Sequence, residues 1–349
     1  MGGLGSIATS SQAAGREPGP QARAEPPHSS GRAGTGHRLL YGPAGDRIFF
    51  GLVLLLAGGV VLAAALTAYH LYAGGSQALR RFGLVGFLTG TRWDPALEMR
   101  FGALPFVVGT LLTSFLALAL SVLPALAVAL FVTEYAPPPL GGVVAYLADL
   151  LAAVPSVVYG LWGIFVLVPA VRQGELAVYL WAADRAPWLL PWLGPPAGIG
   201  VLSAVLVLAI MIVPFTASVA RDAIRQVPVE QREALYALGA TRWEVVRTSV
   251  LPYARGGIMA GVILALARAL GETMAVTMVI GNTHQIPTTL FGPGATMASV
   301  IANEFTEAVD DLHLSSLVAV GFCLFLLAVA VHLAARWLLR RLSPGGTAA

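Results

Sequence analysis

Residues 221–255 read RDAIRQVPVEQREALYALGATRWEVVRTSVLPYAR, a polar stretch set between two long apolar runs. It is the only long, strongly charged region that lies between apolar spans. Pro228 suits the first turn of a helix, because the N–H it lacks would have no intrahelical partner there. Gly239 suits the end of that helix, since glycine takes up a positive φ at little steric cost. Thr241 followed by Glu244 forms a capping box that starts a second helix, and Pro252 is expected to end it. Two short helices joined by a fixed elbow are therefore predicted. A polar helix of this length is marginal in water by itself, so the elbow needs a surface to pack on.

Outward from the elbow the chain is apolar. Of 349 residues, 57% are hydrophobic and 11% charged, and the mean hydropathy is +0.77. Soluble domains carry about 25% charged residues, so this chain has too few to cover a water-facing surface. Apolar runs at about 48–72, 103–133, 143–169, 199–221, 256–281 and 315–338 each reach the roughly 20 residues needed to cross about 30 Å of hydrocarbon. The expected class is all-α, a polytopic membrane protein with six transmembrane helices.

All 21 basic residues are arginine. A Walker A loop needs a lysine against the nucleotide phosphates, so P-loop ATP hydrolysis is excluded and any motor must be another protein. The basic pI near 9.2 does not point to nucleic acid, because the arginines sit in segments beside apolar spans, as orientation charge does. With the N-terminus inside, the inner segments hold Arg16, Arg23, Arg32, Arg38, Arg47, the six arginines from Arg221 to Arg255, Arg336, Arg340 and Arg341, fourteen in all. The outer loops hold six: Arg80, Arg81, Arg92, Arg100, Arg172 and Arg185. This bias predicts both termini and the elbow on the cytoplasmic side. The single cysteine, Cys323, lies in an apolar run and excludes an internal disulfide.

Residues 1–44, rich in Gly, Ala, Pro, Ser and Arg, are expected to be a disordered cytoplasmic tail, and 343–349 a short C-terminal one. The membrane-embedded body is expected over 45–342, with its core at about 104–338 and the polar elbow loop at 222–255. Pro124 and Pro155 are expected inside the second and third helices as kinks. Trp181, Trp188 and Trp192 read as an anchor at the outer interface.

Chemistry is expected on the fifth helix. Arg268 and Glu272, four residues apart, share one helical face near the middle of an apolar span. An arginine at that depth costs at least about 2.5 to 3.5 kcal/mol and should face the bundle interior or a water-filled path. Its fork matches two oxygens of a phosphate or sulfate, with Glu272 orienting it. A structural intrahelical ion pair is the alternative. Thr273 flanks Glu272, and Ser156 and Tyr159 bring a hydroxyl and a phenol near Pro155, where they could bond an oxyanion or simply a neighbouring helix. His70, His284, His313 and His332 show no metal-ligand spacing, no cofactor is expected, and nothing argues for an enzyme.

The spacing Glu233-Ala234-Leu235, Gly239, Leu251-Pro252 resembles the EAA loop of ABC importer permeases, with Leu235 in place of a second alanine and Ser249 in place of an aliphatic residue. The run from Arg268 to Val276 with Ile280-Gly281-Asn282, together with Ala153 to Gly163, resembles the phosphate-specific permease subunit of the PstC type over about 45–342. The resemblance implies a type I ABC importer permease of MetI-like fold in a bacterial cytoplasmic membrane. It implies as partners a PstA-type permease subunit, an ATP-binding-cassette ATPase dimer and an extracytoplasmic phosphate-binding protein. By that resemblance Arg268 and Glu272 are essential to transport, and Glu233, Ala234, Gly239, Leu251 and Pro252 couple the ATPase to the pathway. Sulfate, molybdate and phosphonate remain open as substrates, as does a passive anion channel.

Overall fold

The computed structural model describes residues 43–342. The N-terminal tail, but for its last two residues, and the C-terminal tail 343–349 lie outside the described residues, as do the structures expected of them. Among the described residues, six helices are long and apolar enough to cross a membrane. In chain order, α1 is Pro43–Gly74, and α2 (Ser76–Phe82) and α3 (Leu84–Thr89) are short. A two-residue antiparallel ribbon comes next, β1 (Trp93–Asp94) with β2 (Arg100–Phe101), in the register Trp93 to Phe101. Then come α4 (Leu104–Tyr135), α5 (Pro138–Ala152), α6 (Ser156–Arg185), α7 (Val201–Arg225), α8 (Val229–Ala237) and α9 (Arg242–Leu270). The chain closes with α10 (Met274–Val279), α11 (Met297–Glu304) and α12 (Asp311–Leu342).

Two units divide at residue 62. The first is the leading part of α1, where Phe49, Leu55 and Val60 are each more than two-thirds exposed. The second holds the rest, and α7 is its centre: 67% of that span's apolar window is buried, against at most 28% in any other. An apolar helix buried on nearly all sides sits inside a bundle, whereas the exposed Leu123, Tyr146, Phe165 and Leu180 elsewhere suit contact with lipid tails. Three apolar clusters result: one around Leu208, Met211, Ile212 and Val276, one around Phe87, Trp93, Phe106, Met297 and Leu317, and one around Ile224, Val245 and Val250.

Two spans differ from the sequence reading. The third crosses as Ser156–Arg185, not 143–169, and Pro155 is not a kink inside it. Proline drives the residue before it out of helical backbone and has no N–H to continue a helix, so α5 ends near Ala153 and α6 begins afresh at Ser156. Arg172 and Arg185, assigned to a loop, therefore lie on α6, while Trp188 and Trp192 stand 71% and 72% exposed in the turns just after it. The fifth span is broken: α9 ends at Leu270 and a new helix starts at Met274. At its other end Pro252 does not stop the helix; a widened π-helical turn over Val246–Val250 precedes it, and the helix runs through. Pro124 does lie inside α4.

Candidate functional site

The break in the fifth span is built by three residues. After Leu270, Gly271 stops the helix, and its N–H and that of Glu272 reach back to Ala267 and Ala269 by long bonds of 3.3 and 3.4 Å. Glu272 then turns forward, its Oε1 accepting from the Ala275 N–H at 3.2 Å, so that the carboxylate caps the first turn of α10. Thr273 completes the turn, its carbonyl accepting from both the N–H and the hydroxyl of Thr277.

This geometry corrects the role expected of Glu272. Arg268 and Glu272 form no ion pair, because the helix that would have stacked them ends between them at Leu270. Arg268 makes no hydrogen bond or ion pair among the described residues, and its Nε is buried without an acceptor. Its guanidinium carbon sits 5.7 Å from the ring centre of Phe215 on α7. An arginine in this state carries a donor that no protein acceptor among the described residues uses.

The start of α6 lies against the break. A Cβ on Gly160 would come within 2.5 Å of Met278 Sδ and 3.1 Å of Ala275 Cα, so a side chain there would have to displace Met278 and press on the α10 backbone. Tyr159 is buried in the cluster that also holds Ala269, Ala275 and Val276. The Tyr159 hydroxyl, however, donates to Leu151 O at 2.9 Å, joining α6 to the end of α5. Ser156 stands at the first position of α6, one turn before Tyr159 and Gly160. The structure thus gathers Arg268, Glu272, Thr273 and Tyr159 about one break, with Ser156 at the adjoining helix start.

The elbow has the predicted form at its centre. Gly239 has φ +83°, the Ala240 N–H bonds to Leu235 O and the Gly239 N–H to Tyr236 O, a Schellman end to α8. Thr241 and Glu244 make both halves of the capping box. Glu233, Ala234, Gly239 and Pro252 are exposed, Leu251 partly so. Val229, Tyr236, Leu238 and Trp243 are exposed around them by 44 to 83%, a surface apolar enough to dock another protein.

Sequence reading missed what holds the elbow. Arg232 donates to Ile224 O and Val227 O, each at 3.0 Å, and to Glu134 Oε1 at 3.0 Å, binding α8 to the ends of α7 and α4. Arg221 makes a bidentate pair with Asp149, at 3.2 and 3.3 Å, joining α7 to α5. Burial of Asp149 opposes its ionisation, but the bonds from Arg221 and Ser218 outweigh that and hold its carboxyl below the usual range. Glu134, just past the end of an apolar run, and Asp149, inside one, were the available signal.

A second group lies at the opposite end from the elbow. Glu304 is buried, with Oε2 accepting from Trp93 Nε1 at 2.9 Å and facing His313 Nε2 at 2.8 Å. His284 Nε2 approaches Oε1 at 2.6 Å, close enough for an ion pair though poorly aligned for a hydrogen bond. The group borders a cavity of about 530 Å³ lined by Asn282, Glu307 and Asp310 among others. Burial raises the Glu304 pKa, but the contacts of His284, Trp93 and His313 together take it below the ordinary value. A carboxyl depressed in the folded state contributes stability above its unfolded pKa and loses it as pH falls through the folded one. The thermal midpoint of detergent-solubilised protein is therefore expected to fall between neutral pH and about pH 3, and to fall less in Glu304→Gln, as differential scanning fluorimetry would measure.

The comparisons agree with this architecture. Residues 125–344 match the family described as binding-protein-dependent transport system inner membrane component. A protein of Mesorhizobium japonicum named phosphate transport system permease protein PstC is 46% identical over 83% of this chain and 86% of its own length. Its namesake in Xylella fastidiosa is 43% identical over 84% and 91%. An inward-facing structure of the MetNI methionine ABC transporter aligns with TM-score 0.52 at 18% identity, over 72% of this chain and 99% of the other. The fold is thus the MetI-like permease fold, and the six apolar helices make this a multi-pass membrane protein. Having that fold and that match over most of its length, the chain belongs to the binding-protein-dependent transport system inner membrane component family.

Proposed function

We propose that this chain is the transmembrane permease subunit of an ABC importer that carries inorganic phosphate across a bacterial cytoplasmic membrane, driven by separate ATPase subunits. The observation that carries the reading is Arg268: a guanidinium at a helix break inside the bundle, with no hydrogen-bonded carboxylate or carbonyl among the described residues. A planar fork of that kind fits two oxygens of a tetrahedral oxyanion. Relatives 38 to 46% identical over most of the chain, all named for phosphate transport, support phosphate among the oxyanions.

Arg268 receives the anion, Thr273 and Ser156 supply hydroxyls beside it, and Tyr159 and Gly160 fix the wall of the path. Glu272 holds the break open by capping α10. A PstA-type subunit completes the pathway, an ATPase dimer docks on the elbow through Glu233, Ala234 and the exposed ring of Tyr236, Leu238 and Trp243, and a phosphate-binding protein delivers from outside. Both termini and the elbow face the cytoplasm, as the arginine bias requires. ATPase closure then moves the elbow, and the pathway alternates its access.

Uptake of labelled phosphate and sulfate into proteoliposomes holding the assembled complex tests this. ATP-dependent accumulation of phosphate, with sulfate excluded, is expected; equal flux without ATP would indicate a passive anion channel instead. Gly239→Val forces a branched residue to positive φ, at about 1–2 kcal/mol. It is expected to cut recovery of the ATPase subunit with this chain on affinity purification, while the amount of chain in the membrane changes little.

A further inference from the structure

We propose that Phe215 is a positioning residue for Arg268, holding the flat face of the guanidinium so that its N–H edge is free for the anion. This rests on the reading of Arg268 as the anion contact. The problem it solves is one of charge. An arginine inside an apolar bundle needs something to offset its lost hydration. A carboxylate would do so by occupying the same N–H edge that an incoming oxyanion must use, and by cancelling the charge that attracts it. Glu272, the nearest acid in sequence, is turned away to the Ala275 N–H.

An aromatic face offers attraction of another kind. The ring quadrupole stabilises a cation lying within about 6 Å of its centroid and takes up no donor. The 5.7 Å separation of the Arg268 guanidinium carbon from the Phe215 centroid falls inside that reach. The Nε of Arg268 is buried with no acceptor, so no protein oxygen among the described residues takes that donor. Phe215 is mounted on α7, the most buried span, between the buried Pro214 and Thr216, and the Thr216 hydroxyl is tied to Ile212 O at 2.8 Å. The ring therefore stands on a fixed support, while Arg268 ends a helix one turn from a break. Holding the guanidinium carbon at this distance also limits the directions its fork can take, which favours a ligand presenting two oxygens to it.

The test uses the complete complex in proteoliposomes, with this chain carrying a ring series at position 215. Phe215→Leu keeps comparable bulk without the quadrupole and is expected to raise the KM for phosphate about 3- to 10-fold while Vmax changes less than about twofold. Phe215→Tyr should keep KM within about twofold of the parent. Phenylalanine analogues carrying one, two and three ring fluorines, which preserve shape while draining the face of negative charge, should raise KM stepwise. A KM that is flat across the fluorinated series overturns the proposal, and so does a Phe215→Leu defect confined to Vmax or to protein amount, since packing alone would account for either. Failure of the underlying reading is visible separately, as unimpaired phosphate uptake by Arg268→Ala in the same assay.

Discussion

Arg268→Ala is expected to lower ATP-driven phosphate uptake by at least about 100-fold, while the protein still reaches the membrane at its normal level. On the proposed reading, two charge-assisted hydrogen bonds to the anion, each about 1.5–3 kcal/mol, are lost together. Stability should not fall with them, because the side chain has no hydrogen bond or ion pair among the described residues to lose, and removing an incompletely solvated charge relieves a cost. Arg268→Lys should recover only a small part of the activity, since an ammonium is a point charge without the planar fork. Initial rates in proteoliposomes, with immunoblotting for this chain, decide the matter. A chain that transports normally without the guanidinium would reduce Arg268 to a packing residue.

The second large effect is expected at the elbow. Glu134 and Arg232 have side chains only 9% and 17% exposed. Removing one member of such a pair strands the other's charge away from water, at about 3–5 kcal/mol. Glu134→Ala should therefore lower the thermal midpoint of the purified protein well beyond the effect of Glu98→Ala, whose ion pairs with Arg92 and Arg100 lie on exposed surface. It should also reduce recovery of the ATPase subunit, because Arg232 fixes α8 to the ends of α4 and α7. Replacing both members by apolar residues of similar volume should restore part of the thermal midpoint, since no charge is then left unpaired. Scanning calorimetry of the two single variants and the double one measures the coupling.

What the residues disclosed in advance was uneven, for physical reasons. Hydropathy gives the number of spans because lipid imposes a length on any helix that crosses it, and six runs met that length. It could not place the third, since 138–152 is as apolar as the first turns of α6; only the backbone restriction before Pro155 decides where the crossing starts. The fifth span misled in the same manner. Its apolar run continues to Ile280, so Arg268 and Glu272 were set on one continuous face, yet Gly271 and Thr273 were a stop and a start signal in plain order. The elbow was legible because glycine, threonine and glutamate act there through short-range backbone bonds. The pairs Arg232–Glu134 and Arg221–Asp149 were not, since they join residues 98 and 72 positions apart, and no local pattern records which element packs on which. Phe215 carried no signal at all until α7 and α9 were seen side by side.

The helix α9 runs continuously from Arg242 to Leu270 through its widened turn, with the exposed apolar surface of the elbow at its foot and Arg268 near its tip. At about 1.5 Å rise per residue the two ends stand roughly 40 Å apart, so a tilt of about 5° at the foot sweeps the tip through about 3 Å. That distance is comparable to a hydrogen bond. On the proposed reading, a small rocking imposed from below would be enough to make or break the grip of the guanidinium, and the gap after Leu270 would let the tip swing without dragging α10 along. On that reading the molecule would work as a lever, in which leverage substitutes for large rearrangement.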